Sequence, residues 1–308
     1  MVFRSHSILQ KAVVAGGLTV LLWAVAFNVV LFPNAMTGNS VGQGKEPPAT
    51  KNSRVYWNFT ADMEKCTATT VPSDLFVPIS ILTRDRVLSL QETLDSYERT
   101  ISSNYEIVIL DHNSNYPPML EFLQSLRDER NITVHTLDEP VWKHALAHVN
   151  RIIQQYLLER PNVEYYVMTD PDVALKRTNP DVLLFYVALL SSCPSVRVVG
   201  PHLQISDIPN HYQNQVQGKT PYEWESYFWQ KVPYMATWKG VGYHFVEQPI
   251  NTTFAMRRRT QGFARLTRPS IRTYAPYSAV HLDWYLNTSD LPPDKAYYKN
   301  RSKGVNNW

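Results

Sequence analysis

The sequence predicts an α/β domain: a mostly parallel, Rossmann-like sheet with helices on both faces. Three observations carry that reading. Short apolar runs alternate with helical stretches between residues 77 and 199, the pattern of strands joined by crossover helices. Three of those runs end in polar residues, Thr83-Arg84-Asp85, Asp111-His112-Asn113 and Asp170-Pro171-Asp172, and in an open α/β sheet such strand ends share one crevice. No Gly-rich nucleotide loop follows a strand, which argues against a dinucleotide fold and a P-loop NTPase.

The elements follow in order. Residues 12–32 carry no charge and are broken only by Thr19 and Asn28, a length that spans a bilayer as a helix. Arg4, His6 and Lys11 precede the run and the next charge is Lys45. The positive-inside rule then places residues 1–11 as a cytosolic tail and everything after Phe32 on the far side. The expectation is a single-pass type II membrane protein with 12–32 as signal anchor; a cleaved signal peptide competes but has a shorter apolar core. Residues 33–71, with Gly38, Gly42, Gly44, Pro47 and Pro48, read as a flexible stem, and 72–308 as the folded domain.

Within that domain, Val77 to Leu82 is the first strand and Val87 to about Thr100 a helix. Glu106 to Leu110 is the second strand, and Pro117-Pro118 opens a helix to about Arg130. Ile132 to His135 is a short third strand, followed by a helix from Ala145 to Leu158. Tyr165 to Thr169 is the fourth strand, Asn179-Pro180 starts a helix through Leu190, and Val196 to Val199 is the fifth strand. After Gly200 the pattern loosens into an aromatic-rich stretch, Tyr212 to His244, expected to form a loop-and-helix cap.

Composition excludes some classes. The 308 residues carry a net charge of only +3, with 19% charged residues and no basic–aromatic groove pattern, so no nucleic-acid partner is indicated. Cys66 and Cys193 are the only cysteines; they either pair or remain two buried thiols, and they cannot build a zinc site. Sequons begin at Asn58, Asn131, Asn251, Asn287 and Asn300, compatible with a lumenal chain.

The chemistry concentrates in Asp170-Pro171-Asp172. Two carboxylates across a residue of fixed φ, directly after a strand, suit a hard divalent cation that also binds a diphosphate. A simple strand-ending turn is the competing reading. Asp111-His112-Asn113-Ser114 is likewise open to reading as a turn that caps the next helix. His144 and His148 share a helix face, more suited to a packed or solvated face than to a metal.

Taken together, residues 77–285 resemble a GT-A glycosyltransferase of the inverting kind grouped around family 2. The matching segments are Val77-Pro78-Ile79-Ser80-Ile81-Leu82-Thr83-Arg84 and Ile109-Leu110-Asp111-His112-Asn113-Ser114. They continue with Tyr166-Val167-Met168-Thr169-Asp170-Pro171-Asp172 and His281-Leu282-Asp283-Trp284-Tyr285. The resemblance implies that Thr83 and Arg84 border the base and ribose and that Asp111, with Asn113 beside it, hydrogen-bonds them. It implies Asp172 as direct ligand of Mn²⁺ or Mg²⁺, Asp170 on the ribose or in the outer coordination, and His281 completing the metal site. His281 packing with Trp284 and Tyr285 is the competing reading. Arg257, Arg258 and Lys143 are candidate cations near the leaving diphosphate.

An inverting transfer also needs a carboxylate base for the acceptor hydroxyl. Related sequences carry an acid in an Asp-Thr-Thr-Phe segment where this chain has Asn251-Thr252-Thr253-Phe254, and an amide cannot serve. Glu247 is the candidate base, Asp283 the alternative and Glu225 a further option. Trp224, Phe228, Trp229, Trp238 and Tyr243 form either an acceptor platform or a small core.

The expected function is a metal-dependent, Golgi-type glycosyltransferase. It takes a UDP- or GDP-linked sugar to a hydroxyl on a glycan, glycoprotein or glycolipid. The alternatives are a catalytically inactive lumenal GT-A-fold binding protein and a nucleotidyltransferase.

Overall fold

The computed structural model describes residues 71–72, 74–137, 145–209, 215, 218–231, 233–250, 252–262 and 267–301. The first half alternates strand and helix: β1 (Phe76–Thr83), α1 (Val87–Thr100), β2 (Asn104–Asp111), α2 (Pro117–Asp128), β3 (Thr133–Thr136), α3 (Ala145–Glu159) and β4 (Tyr165–Thr169). A two-residue strand β5 (Val173–Ala174) follows the acidic pair, then α4 (Val182–Ser192) and β6 (Val198–Pro201). The second half holds α5 (Pro221–Trp229), β7 (Tyr234–Trp238), β8 (Val241–Glu247), β9 (Ala255–Arg258), β10 (Ser270–Thr273) and β11 (Val280–His281). It ends in a 3₁₀ turn at Leu282–Tyr285 and α6 (Pro293–Arg301).

Nine strands form one sheet in the order β3-β2-β1-β4-β9-β6-β10-β8-β7. β3, β2, β1 and β4 are parallel neighbours, as are β6 and β10; β9 and β8 run against the rest. The α/β expectation holds with one correction. The region after Gly200 adds four strands to the sheet and is not a loop-and-helix cap. β7 and β8 are an aromatic-rich hairpin, while β9 and β10 are only four residues each and pair with strands far away in sequence, so local periodicity does not reveal them.

Alternation along the central strands explains the two helical layers, since neighbouring side chains point to opposite faces. On one face Ile79, Ile81, Ile109 and Val167 pack with Leu90, Leu94 and Tyr97 of α1, Met119 and Leu123 of α2, and the apolar α4. On the other, Val108, Leu110, Tyr166 and Met168 meet Val149, Ile153, Tyr156 and Leu157 of α3. Each fully buried aliphatic side chain contributes about 1.5–3 kcal/mol, so this double layer holds the strand ends rigidly.

Of the aromatic residues expected as an acceptor platform or a small core, Trp238 is buried and Tyr243 half-buried, both packing on α4, whereas Trp224, Phe228 and Trp229 are half-buried on α5. Phe185 of α4 stacks on Tyr277 with centroids 4.1 Å apart and also meets Tyr243 and Trp238. Cys193, the residue that ends α4, is disulfide-bonded; Cys66 lies outside the described residues.

The structure also corrects the expected localisation. Among the described residues no helix is long and apolar enough to cross a membrane. The cytosolic tail, the anchor over 12–32 and the stem through residue 70 lie outside the described residues. An apolar run is an anchor only where it forms a spanning helix, so the single-pass type II, lumenal Golgi assignment is withdrawn.

Candidate functional site

The register brings the predicted strand ends to one edge. Thr83 stands opposite Asp111, and Ile81 opposite Thr169, so the residues after β1, β2 and β4 leave the sheet side by side. Asp85 and Asn113 both adopt left-handed backbone, at φ 52° and 56°, a conformation that short polar residues tolerate. There the Asp85 carboxylate caps α2, accepting from the N–H groups of Asn115 and Tyr116 at 2.7 and 2.9 Å. Asp111 accepts from the N–H and hydroxyl of Ser114, and burial pushes its carboxyl up against those bonds. The Asp111 side chain is thus tied into a turn with Ser114 at the crevice edge, ahead of α2. Thr83 is buried and its Oγ1 has no hydrogen-bond partner, while the Arg84 Nε lies 3.6 Å from Asp85.

Asp170-Pro171-Asp172 is pinned from three sides. Thr93 and Tyr97 of α1 donate to the carbonyls of Pro171 and Val173 at 2.9 and 2.8 Å. The Leu282 N–H donates to the Asp172 carbonyl at 2.7 Å. On the third side the Asp170 N–H donates to the Thr252 carbonyl at 3.0 Å, and the Thr252 hydroxyl donates to the Asp170 Oδ2. Residues 252–254 can lie there because β6 carries Gly200: a Cβ at that position would stand 3.1 Å from the Thr253 carbonyl oxygen.

β5 and β11 pair antiparallel with His281 opposite Val173, which brings His281 Nε2 to 3.7 Å from Asp172 Oδ2. The imidazole also stacks on Trp284, with centroids 4.6 Å apart and planes 6° apart. Asp172 and His281 are both buried, and among the described residues Asp172 Oδ1 and His281 Nδ1 have no hydrogen-bond partner. A buried polar atom left in that condition costs free energy unless a ligand satisfies it.

A chain of buried charges runs away from this pair. Arg86 donates to Asp172 Oδ2 at 3.3 Å and to Asp283 Oδ1, and Lys295 of α6 donates to Asp283 Oδ2. Burial alone would raise the Asp172 carboxyl, but His281, Arg86 and Lys295 together hold it below the usual carboxylate range. Burial works against the charge of Arg86, yet Asp283 and Asp172 raise its pKa further above the ordinary value.

Among the described residues no group of three or more His, Cys, Asp or Glu could hold a metal ion. The expected set of Asp172, Asp170 and His281 is therefore not assembled as three donors: Asp170 turns one oxygen to Thr252, while His281 Nε2 and Asp172 Oδ2 stand 3.7 Å apart. Two donors still suit Mg²⁺ or Mn²⁺, which take the rest of their shell from phosphate and water.

Other predicted residues lie elsewhere. Glu247 ends β8, opposite Ile271. β8 runs against β4 and is separated from it by β9, β6 and β10, about 19 Å at ~4.8 Å per strand. Glu247 thus lies toward the opposite sheet edge, away from the crevice. Asp283 is in the crevice wall, but both its oxygens are held by cations. Arg257 is buried within β9 and donates to the Ala255 carbonyl; Arg258 donates to the carbonyls of Val196, Leu190 and Cys193. Both serve the fold rather than the diphosphate. Lys143, His144 and Asn251 lie outside the described residues, while His148 lines a small cleft with His135 and Arg151. Sequence reading missed Arg86, Thr252 and Lys295; for Arg86, position two after Arg84 at a strand end was the available signal.

No protein-family model matches the chain, nor does any curated protein. Solved structures similar to it include a mannosyltransferase and two further proteins. S. aureus TarS 1-349 is 13% identical, with 60% of this chain and 48% of that one covered, at a TM-score of 0.36. Mannosyltransferase PcManGT from Pyrobaculum calidifontis, in complex with GDP-Man and Mn²⁺, is 21% identical over 49% and 43% at 0.33. GalNAc-T7 with UDP, GalNAc and Mn²⁺ is 17% identical over 43% and 24% at 0.35. The chain spans under half the length of each of these three, and with TM-scores this low its function must be argued from its own side chains.

Proposed function

We propose that this chain is a metal-assisted glycosyltransferase that moves a sugar from a nucleoside-diphosphate donor to a hydroxyl acceptor, with inversion at the anomeric carbon. One observation supports this reading most. Asp172 and His281 present a buried carboxylate oxygen and a ring nitrogen, both unpartnered, at the carboxyl edge of the parallel strands. A divalent cation bound there supplies Lewis-acid neutralisation of the leaving diphosphate. Asp172 and His281 would hold it, with Asp170 beside them fixed by Thr252. Thr83, Arg84, Asp111 and Asn113 line the adjoining strand ends, where the nucleoside would lie. Arg86 keeps Asp172 ionised and restrains its rotation.

The test is isothermal titration with UDP and GDP, each with and without Mn²⁺. Metal-dependent binding of one nucleotide, lost in Asp172→Asn, is the expected result. Equal binding with and without Mn²⁺ would sink the metal role.

A second reading has a specific observation behind it. Glu247 lies toward the far edge and Asp283 is held by two cations, so neither expected base is free to take the acceptor proton. The chain would then bind a nucleotide sugar without transferring it. Binding without turnover of any UDP- or GDP-sugar, in the presence of a glycan acceptor mixture, would favour that reading.

A further inference from the structure

The C-terminal helix α6 is short and mostly polar, yet it buries a lysine. Lys295 is 2% exposed and donates to Asp283, itself 1% exposed. Lysine is almost never buried to this degree without a partner and a reason. Asp283 lies between Lys295 and Arg86, and Arg86 lies between Asp283 and Asp172. The four charges balance, two cations against two carboxylates. Both cations also face the ring of Tyr298, at 5.4 and 5.5 Å from its centroid.

The same helix fixes the other end of this chain of contacts. The Asp294 Oδ2 accepts from the Leu88 N–H at 2.9 Å, and its Oδ1 accepts from the Lys295 N–H at 2.8 Å. Leu88 lies in the first turn of α1, and Arg86 immediately precedes that helix with no side-chain cap of its own. Asp294 therefore caps α1 from α6 and sets the backbone from which Arg86 reaches inward. Tyr297 and Arg301 further tie α6 to Asn115.

We propose that Lys295 is a positioning residue of the donor site: by neutralising Asp283 it leaves Arg86 able to hold Asp172 through Oδ2, so that Oδ1 would be kept for the cation. The inference rests on the reading of Asp172 as a donor-site ligand and adds α6 to that site. Without Lys295, Asp283 is a buried carboxylate short of one counter-charge, and it competes with Asp172 for the single guanidinium. Asp172 then loses its restraint, and the cation loses a fixed oxygen.

The experiment compares the full chain with Lys295→Met and Asp283→Asn/Lys295→Met by titration with UDP and with GDP at fixed Mn²⁺. Partners that orient metal ligands are worth about 10–100-fold in affinity, and that loss is expected for Lys295→Met. The double variant, balanced in charge again, is expected to recover binding close to the original chain. A lysine serving only the fold would lower the melting temperature and leave the affinity of the folded protein unchanged, which overturns the proposal. A folded double variant that binds as weakly as the single one also overturns it, because Lys295 would then meet the ligand itself. Should Lys295→Met not fold, Lys295→Gln takes its place beside Asp283→Asn/Lys295→Gln, with the same outcomes. Absence of metal-dependent binding in the unaltered chain would instead remove the donor-site reading and this inference with it.

Discussion

Two buried charge clusters along this sheet differ in how far the protein satisfies them. At β4 and β11, Asp172 keeps one oxygen and His281 one nitrogen without a hydrogen-bond partner among the described residues. At β10, Arg272 donates through Nη1 to Glu225 of α5 and through Nε to the Pro249 carbonyl at 3.1 Å, and its guanidinium covers the Phe228 ring at 4.1 Å. Burial pushes the Glu225 carboxyl up, and Arg272 opposes that shift. Beside this pair lies His202, fully buried in a three-ring cluster with Trp229 and Tyr274. Its nitrogens also lack hydrogen-bond partners among the described residues, but a neutral imidazole against two rings costs less to bury than an ionised carboxylate oxygen. Burial with charge does not by itself make a site. What marks one is a fixed anionic donor left unsatisfied, because that cost persists until a ligand arrives.

The contrast can be broken by substitution, the largest effect first. Asp172→Asn is expected to lower transfer about a thousandfold, since a cation at the leaving group supplies several kcal/mol and each 1.36 kcal/mol is tenfold. Steady-state rates at saturating Mn²⁺ check this, and a loss under tenfold would move the catalytic centre elsewhere. Glu225→Ala should leave nucleotide affinity intact but destabilise the fold by about 3–5 kcal/mol, because Arg272 is left buried without its counter-charge. Denaturant unfolding measures that cost. A large drop in Mn²⁺–nucleotide affinity would instead join the second cluster to the site.

A smaller effect concerns pH. Burial, then Arg272, pushes the His202 imidazole from 6.5 down to about 2. Its folded pKa is depressed, so between pH 6.5 and 2 the unfolded chain binds the proton and the folded one does not. The contribution of neutral His202 is fully present above pH 6.5 and declines as pH falls, by up to about 1.4 kcal/mol per unit. His202→Phe is expected to flatten the stability profile between about pH 6.5 and 4.5, a window above most carboxylate titration. An unchanged slope would show that the imidazole is not buried neutral.

Smallest of all is Glu247→Gln, expected to change transfer by less than about 0.5 kcal/mol, as for surface substitutions away from special features. A complete loss of turnover with nucleotide binding retained would restore Glu247 as the base, against its place on β8.

Much of the first half was legible in the sequence. The runs at 77–82, 106–110 and 165–169 specify strands because every residue in them satisfies burial or pleat locally, and helices of regular period separate them. That pattern also places Thr83, Asp111 and Asp170 at strand ends. The second half was not legible, since β9 and β10 are four residues each and paired with distant segments, and the β7–β8 hairpin lies in an aromatic-rich stretch without strand alternation. The same limit applied to the site. Asp170 and Asp172 were visible as a motif and His281 as a candidate, but Arg86 and Lys295 carry no local signature. Asp283 looked like a base because only its identity was visible, not the two cations on it.

By itself, then, the sequence determined an α/β sheet whose carboxyl edge bears acids suited to a diphosphate and its cation, since hydrophobic period and strand-end chemistry are local properties. Tertiary structure alone decided which acid stays available. That choice depends on where distant segments deliver their hydrogen-bond donors and counter-charges: the Thr252 hydroxyl to Asp170, Arg86 to Asp172, and Arg86 with Lys295 to Asp283.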